Sequence, residues 1–115
     1  SVAGPLRPVV FCHCSQCRRQ TGLHYAATEA ADADLTITGE TLRWYHASPD
    51  AGRGFCSTCG SALPDLQMNG APLKVPAGSL DTDVPVRPDA HIFVASKANW
   101  DEGLEDVPTV ARLPT

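Results

Sequence analysis

The chemistry of this chain begins with sulfur. Its five cysteines fall in two short runs, C-H-C-S-Q-C at 12–17 and F-C-S-T-C-G at 55–60. Two thiolates separated by two residues can converge on one ion, each at about 2.3 Å. Gly60, directly after the second pair, gives the backbone the freedom such a knuckle needs. Soft thiolates in this pattern select zinc over hard cations. Cys12, Cys14 and Cys17 offer three ligands from one segment. Three protein ligands leave the fourth tetrahedral position open, the usual arrangement of a catalytic zinc. A thiol entering there would lose its proton and become a positioned nucleophile. Cys56 and Cys59 supply only two ligands, half of a closed structural site. The competing uses are disulfide or redox chemistry, and burial as small apolar side chains. An odd cysteine count argues against a closed disulfide framework, and the absence of a stray cysteine argues against mere burial.

Other residues join this chemistry by position. Arg18 and Arg19 follow the first run directly and suit the carboxylates of an anionic thiol. The plainer reading makes them a solvated helix end. Lys97 and Trp100 suit the lining of a pocket, and anchoring of the tail explains Trp100 equally well. His13 lies between two ligands, so it is expected to point away from the metal and to pack or hydrogen-bond. His24 and His46 read as ordinary strand or surface residues, and His91 as structural rather than catalytic.

The elements that must position these groups are short. Ten prolines and nine glycines, spread along the chain, interrupt long helices and favour strands and turns. Val9 to Phe11 reads as a buried strand leading into the first cysteines. Ser15 to Gly22 reads as one or two helical turns with Ser15 as N-cap and Gly22 as stop. His24 to Thr28 is a candidate strand, and Leu35 to Thr38 is expected to pair with Thr41 to His46 as a hairpin around Gly39-Glu40. Trp44 and Tyr45 alternate, so one should face the core and the other solvent. Ser48 to Gly54 reads as a loop, Leu73 to Ala77 and His91 to Val94 as strands, and the segment from Ala98 onward as an irregular wrap.

Composition narrows the class. A chain of 115 residues suits one domain, 1–115, with a real core. The net charge of −4 and the lack of any basic run beyond Arg18-Arg19 argue against nucleic-acid binding. No apolar stretch reaches membrane-spanning length, and no charged-then-apolar leader opens the sequence, so a reducing, cytoplasmic setting is expected.

Four segments carry a resemblance to a known family: C-H-C-S-Q-C-R-R-Q-T-G at Cys12 to Gly22, R-G-F-C-S-T-C-G-S-A-L at Arg53 to Leu63, A-G-S-L-D at Ala77 to Asp81, and H-I-F-V-A-S-K-A-N-W at His91 to Trp100. In that order and spacing the chain resembles the glutathione-dependent formaldehyde-activating enzymes, also called centromere-protein-V-like domains. The resemblance implies a mainly β fold of several short curled antiparallel sheets, shared with methionine sulfoxide reductase B and the translationally controlled tumour protein. It implies carbon–sulfur lyase activity that joins glutathione to formaldehyde as S-hydroxymethylglutathione. The family's catalytic zinc maps onto Cys12, Cys14 and Cys17, and its structural zinc in part onto Cys56 and Cys59. The family's opening strand with C-x-C-G is not found in this sequence, which opens at Ser1-Val2-Ala3-Gly4-Pro5, so either the start is truncated or the structural site is expected to be lost. A non-catalytic zinc-binding structural or protein-interaction module is the alternative expectation. A methionine sulfoxide reductase-like enzyme ranks below both, because it needs a redox cysteine apart from the zinc and none is spare.

Overall fold

A computed structural model describes residues 1–67 and 72–113. The fold is mainly β, with seven strands in two sheets and one short α-helix among the described residues. The first sheet has the order β6-β2-β1-β7: Leu73–Pro76 (β6), Tyr25–Ala30 (β2), Val9–Cys12 (β1) and Pro88–Ile92 (β7). β1 pairs antiparallel with β2, with Cys12 opposite Tyr25, and parallel with β7, with Cys12 opposite Ile92. β2 pairs antiparallel with β6. Pro88 opens β7 at the sheet edge, where its missing N–H costs no ladder bond.

The second sheet is an antiparallel meander of β3 (Leu42–Ser48), β4 (Ala51–Cys56) and β5 (Ala62–Gln67). β5 lies against β6, which joins the two sheets. Helix α1 (Ser15–Thr21) leaves the end of β1 and ends at Gly22, which takes the left-handed conformation (φ 79°) and donates its N–H to the Arg18 carbonyl. Cys12, Cys17, Tyr25 and Ala27 form a buried cluster, with Val10, Cys14 and Ile92 packed against it. The cysteines of the first run are thus part of the core itself. No helix among the described residues is long and apolar enough to cross a membrane.

Several expectations needed tertiary correction. The hairpin around Gly39 does not form. Leu35 instead makes a lone bridge to Val2, and β3 turns back through Pro49-Asp50 onto β4, inside the segment expected as a loop. Within that loop reading, Gly52 and Gly54 hid a strand whose glycines admit close neighbours: a Cβ on Gly54 would overlap the Pro64 carbonyl oxygen and crowd Trp44. The expected strand at 91–94 stops at Ile92, because Phe93 turns into the left-handed region at φ 55°. Trp44 is half-buried and Tyr45 exposed, as their alternation predicts.

Candidate metal centre and adjoining cleft

Strand alternation and one helical turn assemble the first site. Cys12 ends β1, Cys14 precedes α1, and Cys17 lies in the helix's first turn. Their three Sγ atoms all lie within 4.8 Å of one another. Cys12 and Cys17 are each 2% exposed, while Cys14 is half-buried. Cys14 takes the N-cap role expected of Ser15, and its sulfur accepts the Cys17 backbone N–H at 3.4 Å. The reason is the extended backbone at Cys14 (φ −61°, ψ 155°), which turns its side chain over the helix start while Ser15 is already helical.

The local electrostatics separate the thiols. Burial opposes ionisation of Cys14, but the amide and thiol of Cys17 and the thiol of Cys12 outweigh it and hold its pKa below the ordinary value. Burial pushes the Cys17 thiol up to about 12, reinforced by its bond to Cys14. One sulfur is therefore prepared to carry charge and its neighbours to donate to it. Sulfurs around a tetrahedral zinc lie about 3.8 Å apart, a spacing compatible with a cluster whose sulfurs all lie within 4.8 Å. Three soft donors, two of them sealed from solvent and none in a disulfide, fit zinc.

Arg53, on β4, covers this cluster. Its Nη1 and Nη2 each donate to Cys17 Sγ at 3.6 Å, and the same two nitrogens donate to Gln20 Oε1 at 2.6 Å and Gln16 Oε1 at 3.3 Å. The guanidinium thus ties the second sheet to α1 and places a positive charge against the thiols. Arg53 also borders a cleft of about 600 Å³, whose lining includes Arg19, Tyr45 and Phe55. Among the described residues that line the cleft, none is a cysteine. Sequence reading missed Arg53 as a site residue because it assigned Arg53 to a loop. Its place in the R-G-F-C segment was the available signal.

The remaining expected residues are not among those that line the described cleft. Arg18 is half-buried, and its Nε has no hydrogen-bond partner. Lys97 pairs with Glu102 at 2.9 Å. Trp100 is 55% exposed, so the tail is held by buried Ala98 and Asp101 rather than by the indole. Cys56 and Cys59 flank a tight turn in which Gly60, at φ 78°, donates to the Cys56 carbonyl. The Thr41 hydroxyl, then the Cys59 and Thr58 amides and the Cys59 thiol, draw the Cys56 thiol down to about 6. Cys59 Sγ and Ser61 Oγ share a bond of 3.1 Å. Among the described residues this pair gains no third sulfur, imidazole or carboxylate ligand.

The opposite side of β1 holds a second constellation. His13 points away from the three cysteines, as alternation predicts, and is fully buried. Its Nε2 shares a 2.8 Å hydrogen bond with His91 Nδ1. His24, expected to be ordinary, donates from Nδ1 to Asp101 Oδ2 at 2.7 Å. Burial, only partly opposed by Asp101, keeps the pKa of His13 below its usual value. The bond from His24 holds the Asp101 carboxyl below the usual carboxylate range. Residues 13, 24, 91 and 101 are too far apart in sequence for spacing to have joined them.

A family model described as glutathione-dependent formaldehyde-activating enzyme matches residues 2–96. No curated protein and no solved structure matches the chain.

Proposed function

Because the chain belongs to the glutathione-dependent formaldehyde-activating enzyme family, we propose that it is a zinc-dependent carbon–sulfur lyase joining or splitting a small thiol and an aldehyde. The observation that carries this reading is the convergence of three thiols within 4.8 Å beside an open, cation-bordered cleft. Cys12, Cys14 and Cys17 would hold the zinc, which when bound lowers the pKa of a thiol in its fourth position. In the forward direction the thiol sulfur bonds to the aldehyde carbon, the carbonyl π pair moves to oxygen, and oxygen takes the proton that the thiol gave up. The product is a hydroxymethyl thioether, and the reverse direction releases both partners.

The chain's own groups supply binding and orientation. Arg19 on the cleft wall offers a fork for a substrate carboxylate, and Tyr45 and Phe55 offer apolar contact. Half-buried Cys14 gives the approach to the thiolate cluster, since Cys12 and Cys17 are sealed. Arg53 stands between the cleft and Cys17, positioned to meet the oxyanion that develops on an aldehyde. Arg18, Lys97 and Trp100 remain candidates for outer contacts with a long thiol. We read residues 1–115 as one such domain, with Cys56 and Cys59 as part of a second zinc site, and its free thiols fit a cytoplasmic setting.

One observation favours a non-catalytic zinc module instead: the described cleft lining reaches Cys17 only through Arg53. The deciding experiment measures zinc content and follows formation of the hydroxymethyl adduct from glutathione and formaldehyde by NMR. Zinc-replete protein that accelerates adduct formation supports the lyase. Zinc-replete protein that leaves the uncatalysed rate unchanged with every small thiol tried removes it and leaves the module.

A further inference from the structure

We propose that His13, His24 and Asp101 form a further metal site, for a divalent transition cation such as zinc, on the face of β1 opposite the three cysteines. Their ligand atoms lie within 4.8 Å of one another. His13 is 0% exposed and Asp101 5%, while His24 is half-buried at the rim. His13 Nδ1 is buried without a hydrogen-bond partner, 3.4 Å from Asp101 Oδ2 and not aligned to bond it. A buried ring nitrogen without a partner demands an explanation, and an ion between it and the carboxylate is one.

The tautomer of His13 agrees with this placement, and His24 would bind by shifting its proton from Nδ1, where it now bonds Asp101 Oδ2, to Nε2. When His13 Nε2–H donates to His91 Nδ1, its Nδ1 carries a lone pair toward the Asp101 carboxylate. Lone pair against anion is repulsive, and a cation between them reverses the sign. The His13–His91 bond then becomes the orienting contact that metal-bound imidazoles usually make through their second nitrogen.

Distances are close to those required. Donors about 2.05 Å from a tetrahedral zinc lie about 3.3 Å apart. The His13–Asp101 pair is already at 3.4 Å, while the His24–Asp101 pair, at 2.7 Å, must open by about 0.6 Å to match. Imidazole with carboxylate is a donor set for zinc and its neighbours in the first transition row rather than for calcium or magnesium. The ion would clamp the tail, through Asp101, to β1 through His13 and to the entry of β2 through His24. It stands independently of the lyase reading, since it shares no ligand with the cysteine cluster.

The test is a zinc titration of the full chain followed by bound-metal analysis after dialysis, set beside His24→Gln and Asp101→Asn. The wild-type chain is expected to retain one equivalent more than either variant. X-ray absorption at the zinc edge of the wild-type protein is expected to show the outer-shell scattering of imidazole. Equal zinc content in all three chains overturns the proposal, including the case where the extra ion resides on Cys56 and Cys59. Should the variants fail to fold, the absorption spectrum of the wild-type chain decides alone: imidazole scattering supports the site, and its absence overturns it.

Discussion

Replacing Arg53 with methionine keeps the aliphatic stem that packs between β4 and α1 and removes the charge. In the wild-type chain both terminal nitrogens lie 3.6 Å from Cys17 Sγ. A divalent zinc held by three thiolates would leave one net negative charge, for which the guanidinium would be the counter-charge. At an effective dielectric of about 20, unit charges at the observed 3.6 Å attract by about 4.6 kcal/mol. Arg53 is half-buried and its charge is spread over three nitrogens, so solvent screening removes much of that. About 1.4–2.7 kcal/mol should remain, a loss of roughly 10–100-fold in zinc affinity, as is usual for partners just behind metal ligands. Competition of the folded chain against a chromogenic chelator measures this directly. Arg53→Lys, which keeps the charge and loses the fork, should fall between wild type and Arg53→Met. Arg53→Met protein with wild-type circular dichroism and zinc affinity within twofold of wild type would refute the counter-charge role.

Four further outcomes follow from the same structure. Gly54→Ala should destabilise the second sheet by about 3 kcal/mol, because the Pro64 backbone carbonyl cannot yield; thermal unfolding should show a fall of roughly 10 °C. Asp65 is buried with one oxygen unpartnered, and burial, against the pull of Arg53, Lys74 and the Gly54 amide, raises its pKa. A carboxyl raised on folding contributes its stability below the unfolded value of about 3.9 and loses it as pH rises through the folded value. Asp65→Asn should therefore gain urea stability relative to wild type from about pH 4 upward, and a constant difference between the two chains across that range would contradict it. Cys17→Ser should lower bound zinc by one equivalent, measured by mass spectrometry of the metal. Cys59→Ser should leave the cobalt–thiolate absorption of the first cluster unchanged.

The first cysteine cluster was legible because its parts are local. Cys12, Cys14 and Cys17 span six residues, and one strand end with one helical turn brings them together whatever the rest of the chain does. His13 pointing away from them follows from the same alternation. The helix stop at Gly22 and the turn at Gly60 were equally readable, since both need a left-handed backbone that glycine adopts without strain. Family membership was legible in four short segments.

What the sequence could not determine is pairing over distance. Leu35 to Thr38 carries a strand-like pattern, yet β3 pairs with β4, because register is chosen by which faces can be buried together. Arg53 became a cover for Cys17 only when the meander of β3, β4 and β5 was laid against α1. The histidine and aspartate cluster needed β7 to run parallel to β1, with His91 opposite Phe11, and the tail to return Asp101 to His24. Local spacing determines which side chains leave the backbone on one side. Only the tertiary fold, by burying them, decides which distant groups they meet.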